Sequence, residues 1–291
     1  MSNVIIIGNG PAGISAALYT KRAGIDTTII GRDDGALQKA AEIENYYGFS
    51  DPITGAELIS NGKEGAKRLG VRFVSDEVVG LSYTEKLTVI TKTNVYMADS
   101  VIIATGTART TPQISGIKDL EGRGVSYCAV CDAFFYRNLD VAVLGNGSYA
   151  LHEAKELLAT SRSVTILTNG KEPEVEFPDS VTINTSPISA ILGNDSLSSV
   201  QFIDGSNIKI AGLFVAIGIA GSADLARKIG AQTNGNIIEV DQNMATTIPG
   251  LYAAGDCTGG LLQISKAVYE GAKAGTEVIK YIRKQVKKIS A

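Results

Sequence analysis

Short apolar runs recur along the chain, and two of them are followed at once by a glycine-rich turn and a helix-like segment. NVIIIG precedes NGPAGISAALYTKRAG, and the same order returns where DVAVLG precedes NGSYALHEAKELLATS. Unbroken apolar runs of this kind are typical of parallel strands that are buried on both faces. A strand, a tight glycine turn, a helix and a further strand make a βαβ unit. The pattern therefore predicts two such units.

The rest of the pattern agrees with an α/β fold. DTTII and SVTIL have the pattern of the second strands of the two units, and residues 53–69 have a helical pattern. VIIATGT, GLFVAIG and LYAAGD each combine a buried strand with a turn, and a long helix is predicted from about Gln263 to Lys284. Two βαβ units in one chain indicate two doubly wound, Rossmann-like domains.

Composition narrows the class of protein. The 291 residues are 44% hydrophobic and 20% charged, as in a globular protein, and the net charge of −3 gives no general attraction for nucleic acid or anionic lipid. The apolar runs are too short to span a bilayer and no signal-like segment precedes the first strand, so we expect a cytoplasmic protein without a membrane partner. Three cysteines, an odd number, argue against a secreted disulfide framework.

The first glycine-rich loop, residues 8–13, has the spacing G-x-G-x-x-G between an apolar strand and a helix. Its glycines allow a tight turn, a close approach to pyrophosphate and close helix packing, and the helix N-terminus stabilises phosphate charge. Asp33 and Asp34 follow the next strand, where a carboxylate can bond a ribose hydroxyl. A purely structural glycine turn is the alternative. The predicted nucleotide contacts in the loop are Gly8, Gly10, Pro11, Ala12 and Gly13.

Two further turns indicate which nucleotide is bound. Ala104, Thr105 and Gly106 follow one buried strand, and Gly255 and Asp256 follow another near the end of the chain. Both turns can bring backbone amides, and the second a carboxylate, to a long cofactor. A nucleotide held by segments from both ends of the chain is more consistent with FAD than with an exchanging nicotinamide coenzyme.

Cys128 and Cys131 form a C-x-x-C motif that Asp132 follows. A zinc site needs about four ligands, and nothing pairs Cys257 or His152 with this motif, so no metal site is predicted. Buried inert cysteines are a second alternative, as Cys257 is expected to be. The favoured interpretation is a redox disulfide, because a helix N-terminus lowers a thiol pKa and Asp132 can act as an acid–base group.

At this point the sequence resembles the low-molecular-weight thioredoxin reductases over essentially its whole length. The matching stretches are GNGPAG, EIENYYGF, ATGTAR, GVSYCAVCDAFFYR, GLFVAIG and IPGLYAAGD. The resemblance implies an FAD-binding domain of residues 1–112 with 243–291, and an inserted redox-disulfide domain of residues 113–242 with a degenerate NAD(P)-binding-like fold. It also implies a homodimer.

The resemblance further implies roles for single residues. Cys131 would accept electrons from FAD, Cys128 would exchange with the disulfide of thioredoxin, and Asp132 would manage protons. Apart from the resemblance, His152 on the helix after the second glycine-rich loop is expected to be a surface or structural residue. Four further residues would lie along the FAD: Leu37, Asn45, Gln263 and Ile264.

The second glycine-rich loop departs from the family pattern. The family has G-G-G-D-S-A and then a strand that ends in H-R-R, whereas this chain has GNGSYA at 145–150 and TNG at 168–170. A 2′-phosphate needs arginine-type neutralisation, but Arg162 precedes the strand. The helix after the strand is predicted to be missing, and Tyr149 is expected to obstruct the coenzyme. After the strand, Lys171 is followed by Glu172, Glu174, Glu176 and Asp179.

These departures resemble the pyridine-nucleotide-independent branch, the ferredoxin-dependent flavin thioredoxin reductases. The resemblance implies that reduced ferredoxin delivers single electrons to FAD. Ferredoxins are commonly acidic, so a basic docking face is expected, although a solvated helix end is an equal alternative. Three other functions stay open: a thioredoxin reductase that uses NADPH or NADH through an atypical pocket, a flavin-dependent dithiol oxidase, and a redox sensor. The candidate docking residues are Lys280, Arg283, Lys284, Lys287 and Lys288.

Overall fold

The computed structural model of the chain describes residues 2–106, 112–127, 129–218 and 221–289. In the first part of this range the strands are β1 (Asn3–Ile7), β2 (Asp26–Gly31), β3 (Arg72–Ser75), β4 (Val78–Tyr83), β5 (Leu87–Thr91), β6 (Val95–Ala98) and β7 (Ser100–Ile103). The strands that follow are β8 (Val125–Ser126), β9 (Asp140–Leu144), β10 (Ser163–Leu167), β11 (Thr182–Asn184), β12 (Ile188–Gly193), β13 (Leu197–Phe202), β14 (Asn207–Lys209), β15 (Gly212–Val215), β16 (Thr233–Asn234), β17 (Ile237–Ile238) and β18 (Leu251–Ala253). The helices are α1 (Pro11–Arg22), α2 (Gly55–Arg68), α3 (Ala129–Asp132), α4 (Ser148–Leu158), α5 (Ser222–Arg227) and α6 (Ile264–Ile289).

The chain divides into two compact units, and the second is inserted in the first. One unit comprises Met1–Ala108 with Gly221–Ala291, and the other comprises Arg109–Ala220. The sequence led us to expect the return to the first unit at residue 243. In the structure the chain rejoins the first unit at Gly221. The reason is that α5 packs in that unit, where the hydroxyls of Thr105 and Ser222 are 2.8 Å apart.

The first unit is built on a five-stranded parallel sheet with the order β18-β7-β1-β2-β3. Its central strand, β1, pairs in parallel with β2 and β7, and its residues from Val4 to Ile7 are buried as the apolar run predicts. The crossover from β2 to β3 contains α2. An antiparallel sheet of β4, β5 and β6 belongs to the same unit.

Helices α1 and α6 of the first unit pack at close range. An added Cβ at Gly271 would lie 2.1 Å from the Ala12 carbonyl oxygen, and one at Gly275 would lie 2.7 Å from the Ala16 oxygen. These two glycines therefore fix the start of α6 beside the first glycine-rich loop. Helix α6 is longer than predicted and ends at Ile289. Among the described residues, no helix combines the length and the apolar character that a membrane span requires.

The second unit repeats the parallel arrangement with the order β11-β10-β9-β15-β8. Strands β9, β10 and β11 occupy the positions that β1, β2 and β3 occupy in the first unit. The connection from β10 to β11, residues 168–181, contains no helix, so the predicted loss of the crossover helix is confirmed. A three-stranded antiparallel sheet, β12-β13-β14, completes the unit.

Candidate functional site

The first glycine-rich loop forms a turn with an opening at one glycine. Gly8 has a φ of +110°, and an added Cβ there would lie 2.3 Å from the Ala104 carbonyl oxygen. An added Cβ at Gly13 would lie 1.9 Å from the Gly8 oxygen, so neither position accepts a side chain. At Gly10, by contrast, an added Cβ would meet no other atom within 4 Å. The loop is therefore closed against the protein and open at Gly10, as a phosphate cradle requires.

Helix α1 begins at this opening. Pro11 occupies its first turn, Gly10 is its N-cap, and neither a side-chain cap nor an acidic residue neutralises its N-terminus. The first amides of a helix lack intrahelical partners and carry partial positive charge. The loop therefore fits the pyrophosphate of a dinucleotide, with Ala12 and Gly13 as the nearest helical amides.

The two predicted ribose-binding acids lie in the turn after β2. Asp33 Oδ1 accepts a hydrogen bond from the Gly35 amide at 3.0 Å, and Asp33 Oδ2 accepts one from Arg32 at 2.9 Å. Asp34 forms an ion pair with Lys63. Arg32 and, from α2, Lys63 thus hold the two acids in place, and a bond from either acid to a ribose stays a prediction.

Segments that are far apart in sequence meet near the start of α6. The Asn45 side chain donates a hydrogen bond to Gln263 Oε1 at 3.1 Å, which joins two of the predicted FAD contacts. Leu37 and Ile264, two further predicted contacts, line an apolar cleft together with Pro11. Leu37 and Ile264 therefore line this cleft beside the first turn of α1. The other two residues, Asn45 and Gln263, are next to the cleft residues Tyr46 and Ile264 in the sequence.

The turns after β7 and β18 lie at the same edge of the sheet. The Ser222 hydroxyl bonds Thr105 and donates to the Gly106 carbonyl oxygen. Gly255 has a φ of +88°, and an added Cβ there would lie 2.9 Å from the Ala12 Cβ. Gly255 and the partly exposed Asp256 are therefore beside the first turn of α1, as the prediction of a shared cofactor site requires.

A largely buried charge pair that the sequence did not reveal supports this turn. Glu270 Oε2 accepts a hydrogen bond from the Gly255 amide at 2.8 Å, and Lys266 Nζ donates to the Gly255 oxygen at 2.9 Å. Lys266 Nζ and Glu270 Oε2 are 3.1 Å apart. A lysine and a glutamate four residues apart usually form a surface pair on a helix, so only their tertiary environment identifies them as supports of the Asp256 turn.

Cys257 is a buried filler, as expected. Its Sγ lies 3.4 Å from the Ile103 oxygen and 3.3 Å from the Ala254 oxygen, and the residue is fully buried. Burial raises the pKa of the Cys257 thiol to about 12, so the reactive thiolate is absent at neutral pH.

Only part of the predicted dithiol motif belongs to the described residues. Cys128 lies outside them, and so does the side chain of Cys131, whose backbone is in α3. Asp132 is partly buried, and its Oδ2 accepts a hydrogen bond from the Ser126 hydroxyl at 2.6 Å. Directly after α3, Phe134 and Phe135 are 75% and 73% exposed. This pair forms an apolar surface next to the motif, and exposed apolar surface of this kind is typical of docking sites.

Helix α4 contacts the backbone on both sides of Cys128. Tyr149 Oη donates to the Tyr127 carbonyl oxygen at 3.2 Å, and the Ala129 amide donates to Glu153 Oε2 at 2.7 Å. The Tyr149 ring is 2% exposed. The expectation that this ring obstructs an approaching coenzyme is therefore wrong, because the ring is packed inside the second unit.

The second glycine-rich loop is covered by the acidic segment that follows β10. An added Cβ at Gly147 would lie 3.1 Å from Glu174 Oε2. The Glu174 amide donates to the Asn146 oxygen at 2.8 Å, and the Asn146 side chain donates to Glu174 Oε1 at 3.2 Å. A carboxylate of the chain itself thus lies at the glycine where a coenzyme pyrophosphate would approach.

The cations near this loop do not form a phosphate site. Arg162 bonds Asp140 at the amino end of the sheet, and this contact, together with the Ser163 hydroxyl, lowers the pKa of Asp140 to about 2. Ligands of doubly wound sheets bind at the carboxyl ends of the strands, away from Arg162. At that edge, the segment from residue 168 to 181 has Lys171 as its one basic residue.

Known proteins are similar to this chain over nearly its whole length. The sequence profile of the pyridine nucleotide-disulphide oxidoreductase family matches residues 2–271. A thioredoxin reductase of Listeria innocua is 34% identical over 304 residues, which cover 96% of this chain and 93% of the relative. The crystal structure of the atypical thioredoxin reductase TRi from Desulfovibrio vulgaris Hildenborough is 42% identical, covers 98% of this chain and 99% of that one, and gives a TM-score of 0.92. A ferredoxin-flavin thioredoxin reductase from Clostridium acetobutylicum is 31% identical, with 97% and 98% coverage and a TM-score of 0.70.

Proposed function

Because the chain belongs to the thioredoxin reductases, FAD-binding flavoproteins of the pyridine nucleotide-disulphide oxidoreductase family, we propose that it reduces thioredoxin with electrons from reduced ferredoxin. Two ferredoxins, each giving one electron, would reduce one disulfide to two thiols with uptake of two protons. Bound FAD would supply the carrier that takes up single electrons and passes on a pair. Assembly as a homodimer stays a prediction from the resemblance.

The observation that carries the proposal is the contact of Glu174 with the second glycine-rich loop. A pyrophosphate at Gly147 would have to displace a carboxylate that the Asn146 side chain also holds. Two anions at one helix N-terminus repel each other, and the segment after β10 has no arginine to neutralise a 2′-phosphate. An NADPH-dependent reductase would need the opposite arrangement, so this contact favours a donor other than a pyridine nucleotide.

A basic surface on α6 supports an acidic protein as the donor. Its side chains are exposed, and their spacing of three and four residues places most of them on one side of the last turns. One of them, Lys280, also pairs with Glu277. Complementary charge of this kind steers association and makes its rate depend on salt. We call these five residues the α6 basic surface: Lys280, Arg283, Lys284, Lys287 and Lys288.

The residues that would hold FAD are those of the first unit. Gly10 and the α1 N-terminus would bind the pyrophosphate, and the Asn45–Gln263 pair with Ile264 would lie along the ring system. In the second unit, Cys128 and Cys131 would exchange with thioredoxin. The exposed Phe134 and Phe135 would form the apolar part of the thioredoxin docking surface.

An anaerobic turnover assay tests the proposal. Wild-type protein should reduce thioredoxin with reduced ferredoxin, and a Cys131→Ser variant should retain FAD but lose turnover; full turnover by that variant would remove the dithiol from the reaction. Lys284→Glu with Lys287→Glu should slow reduction by ferredoxin about tenfold at low salt and less at high salt.

A variant with both Lys92→Glu and Arg68→Glu, which reverses two exposed charges elsewhere on the first unit, is the matched control for charge. Equal losses in both variants would contradict docking at the α6 basic surface. Turnover with NADPH or NADH at the ferredoxin rate would favour a nicotinamide-dependent reductase, and oxygen consumption with a dithiol would favour an oxidase.

A further inference from the structure

The two peptide groups that flank Cys128 are both bound by α4. The carbonyl oxygen before Cys128 belongs to Tyr127 and accepts a hydrogen bond from Tyr149 at 3.2 Å. The amide after Cys128 belongs to Ala129 and donates to Glu153 at 2.7 Å. One helix therefore holds the chain immediately before and immediately after this cysteine.

These contacts come from one face of α4. Tyr149 and Glu153 are four residues apart, which places them one above the other on a helix. Both are almost fully buried, with exposures of 2% and 1%. A buried carboxylate is costly unless hydrogen bonds compensate it, so its position against a backbone amide is a specific arrangement rather than an incidental surface contact.

We propose that Tyr149 and Glu153 are positioning residues for the redox cysteines, and that the Glu153 carboxylate restrains the reactivity of Cys128. This inference rests on the proposed role of the Cys128–Cys131 dithiol. In a nucleotide-binding unit the start of such a helix faces the coenzyme, whereas in this chain the same helix also holds the backbone on both sides of Cys128. The Glu153 carboxylate bonds the amide that directly follows Cys128, and a negative charge near a thiol disfavours the thiolate. Since a dithiol with less stabilised thiolates is a stronger reductant, Glu153 would keep the couple suited to reducing thioredoxin.

Alkylation of Cys128 tests the inference without a donor protein or thioredoxin. In a Cys131→Ser background the remaining cysteines are Cys128 and the fully buried Cys257, so labelling of the folded protein reports on Cys128. Glu153→Gln keeps an oxygen that can accept from the Ala129 amide but removes the charge. It should raise the rate of reaction with iodoacetamide at pH 7 about three- to tenfold. Glu156→Gln, which removes an exposed charge one turn along the same helix, should leave the rate unchanged.

A second measurement uses both cysteines. The equilibrium of the Cys128–Cys131 couple with glutathione should shift about three- to tenfold toward the dithiol in Glu153→Gln. Tyr149→Phe removes the hydrogen bond to the Tyr127 oxygen. It should change the alkylation rate of Cys128 while leaving the helix content the same. Equal rates and equal equilibria in wild type, Glu153→Gln and Tyr149→Phe would overturn the inference.

Failure of this inference and failure of the proposed function are distinguishable. If Cys131→Ser retains turnover, the dithiol is not the exchange site and the function is wrong whatever Glu153 does. If Cys131→Ser abolishes turnover and Glu153→Gln changes neither alkylation nor the glutathione equilibrium, the function stands and the role of Glu153 is wrong.

Discussion

The two glycine-rich loops differ at the glycine where a phosphate would approach. Each loop has a first glycine pressed against a carbonyl oxygen, from Ala104 at Gly8 and from Ala216 at Gly145. At the next glycine the first loop is open, whereas the second is contacted by Glu174. The difference shows that a βαβ unit can keep its turn and its packing while its ligand position is taken by the chain itself.

The two units also differ in the crossover that follows the second strand of each βαβ unit. In the first unit this crossover contains α2, which begins with a capping box formed by Thr54 and Glu57. In the second unit the corresponding segment contains Pro173 and Pro178 and no helix. Strand pairing alone preserves the order of the sheet, so the second unit retains its fold without the helix that would form one wall of a coenzyme crevice.

The largest effect is expected at Gly13, the third glycine of the first loop. Gly13→Ala would place a Cβ against the Gly8 backbone, which cannot move aside as a flexible side chain can. We expect a loss of about 3 kcal/mol or more in unfolding free energy and little retained FAD, measured by urea unfolding and flavin content. The second loop has Ala150 at this position, and Ala150→Gly should cost no more than about 1 kcal/mol. Similar costs in both loops would break the comparison.

Substitution of the middle glycine should separate binding from folding. Gly10→Val places its side chain in open space, so the fold should persist while FAD affinity falls at least about tenfold, or about 1.4 kcal/mol. The matched Gly147→Val change would displace only the end of Glu174 and should leave flavin content as in wild type. Flavin fluorescence after gel filtration measures both. Loss of FAD from Gly147→Val would contradict the assignment of the cofactor to the first loop.

A smaller effect is expected from opening the second loop. Glu174→Ala alone should leave NADPH binding undetectable, because the segment still lacks an arginine, and should change stability by less than about 1 kcal/mol. Glu174→Ala combined with Glu172→Arg should give measurable NADPH binding in a calorimetric titration. If Glu174→Ala alone were sufficient, the missing arginines would not be the reason for the loss of the coenzyme.

The smallest effect is expected at the amino end of the second sheet. Arg162→Ala should leave the response to NADPH unchanged, and the melting temperature should fall by less than about 2 °C, because the pair with Asp140 is exposed. The folded-state pKa of Asp140 is lowered to about 2 from 3.8, so its contribution is present above pH 4 and is lost as pH falls toward 2. The difference between variant and wild type should therefore vanish below about pH 2 in thermal melts. A difference that grew on acidification would contradict this pairing.

Local patterns predicted the strands, both glycine loops and the missing helix, because apolar runs, glycines and prolines act through their own backbone. They also indicated which turns of the first unit contribute residues to the predicted FAD site. The Asn45–Gln263 bond and the Lys266–Glu270 support could not be predicted in the same way, since their partners meet only after α6 packs against α1.

The same limit explains the differences in the second unit. Glu174 was recognised as an unfavourable charge, but its contact with Gly147 depends on how the segment after β10 folds back. Its place at the start of a ligand-type loop predicts that Tyr149 obstructs the coenzyme, whereas the ring is buried and its hydroxyl donates to the Tyr127 oxygen. Burial of a single ring depends on the packing of α4 and not on a repeat in the sequence.

The most direct test of the central claim is the rate at which the bound flavin loses its colour under anaerobic conditions. Stopped-flow mixing of oxidised protein with reduced ferredoxin should bleach the flavin within the time of a turnover. NADPH and NADH at millimolar concentration should leave its spectrum unchanged over the same time. Rapid bleaching by NADPH, with no faster reaction from ferredoxin, would contradict the account.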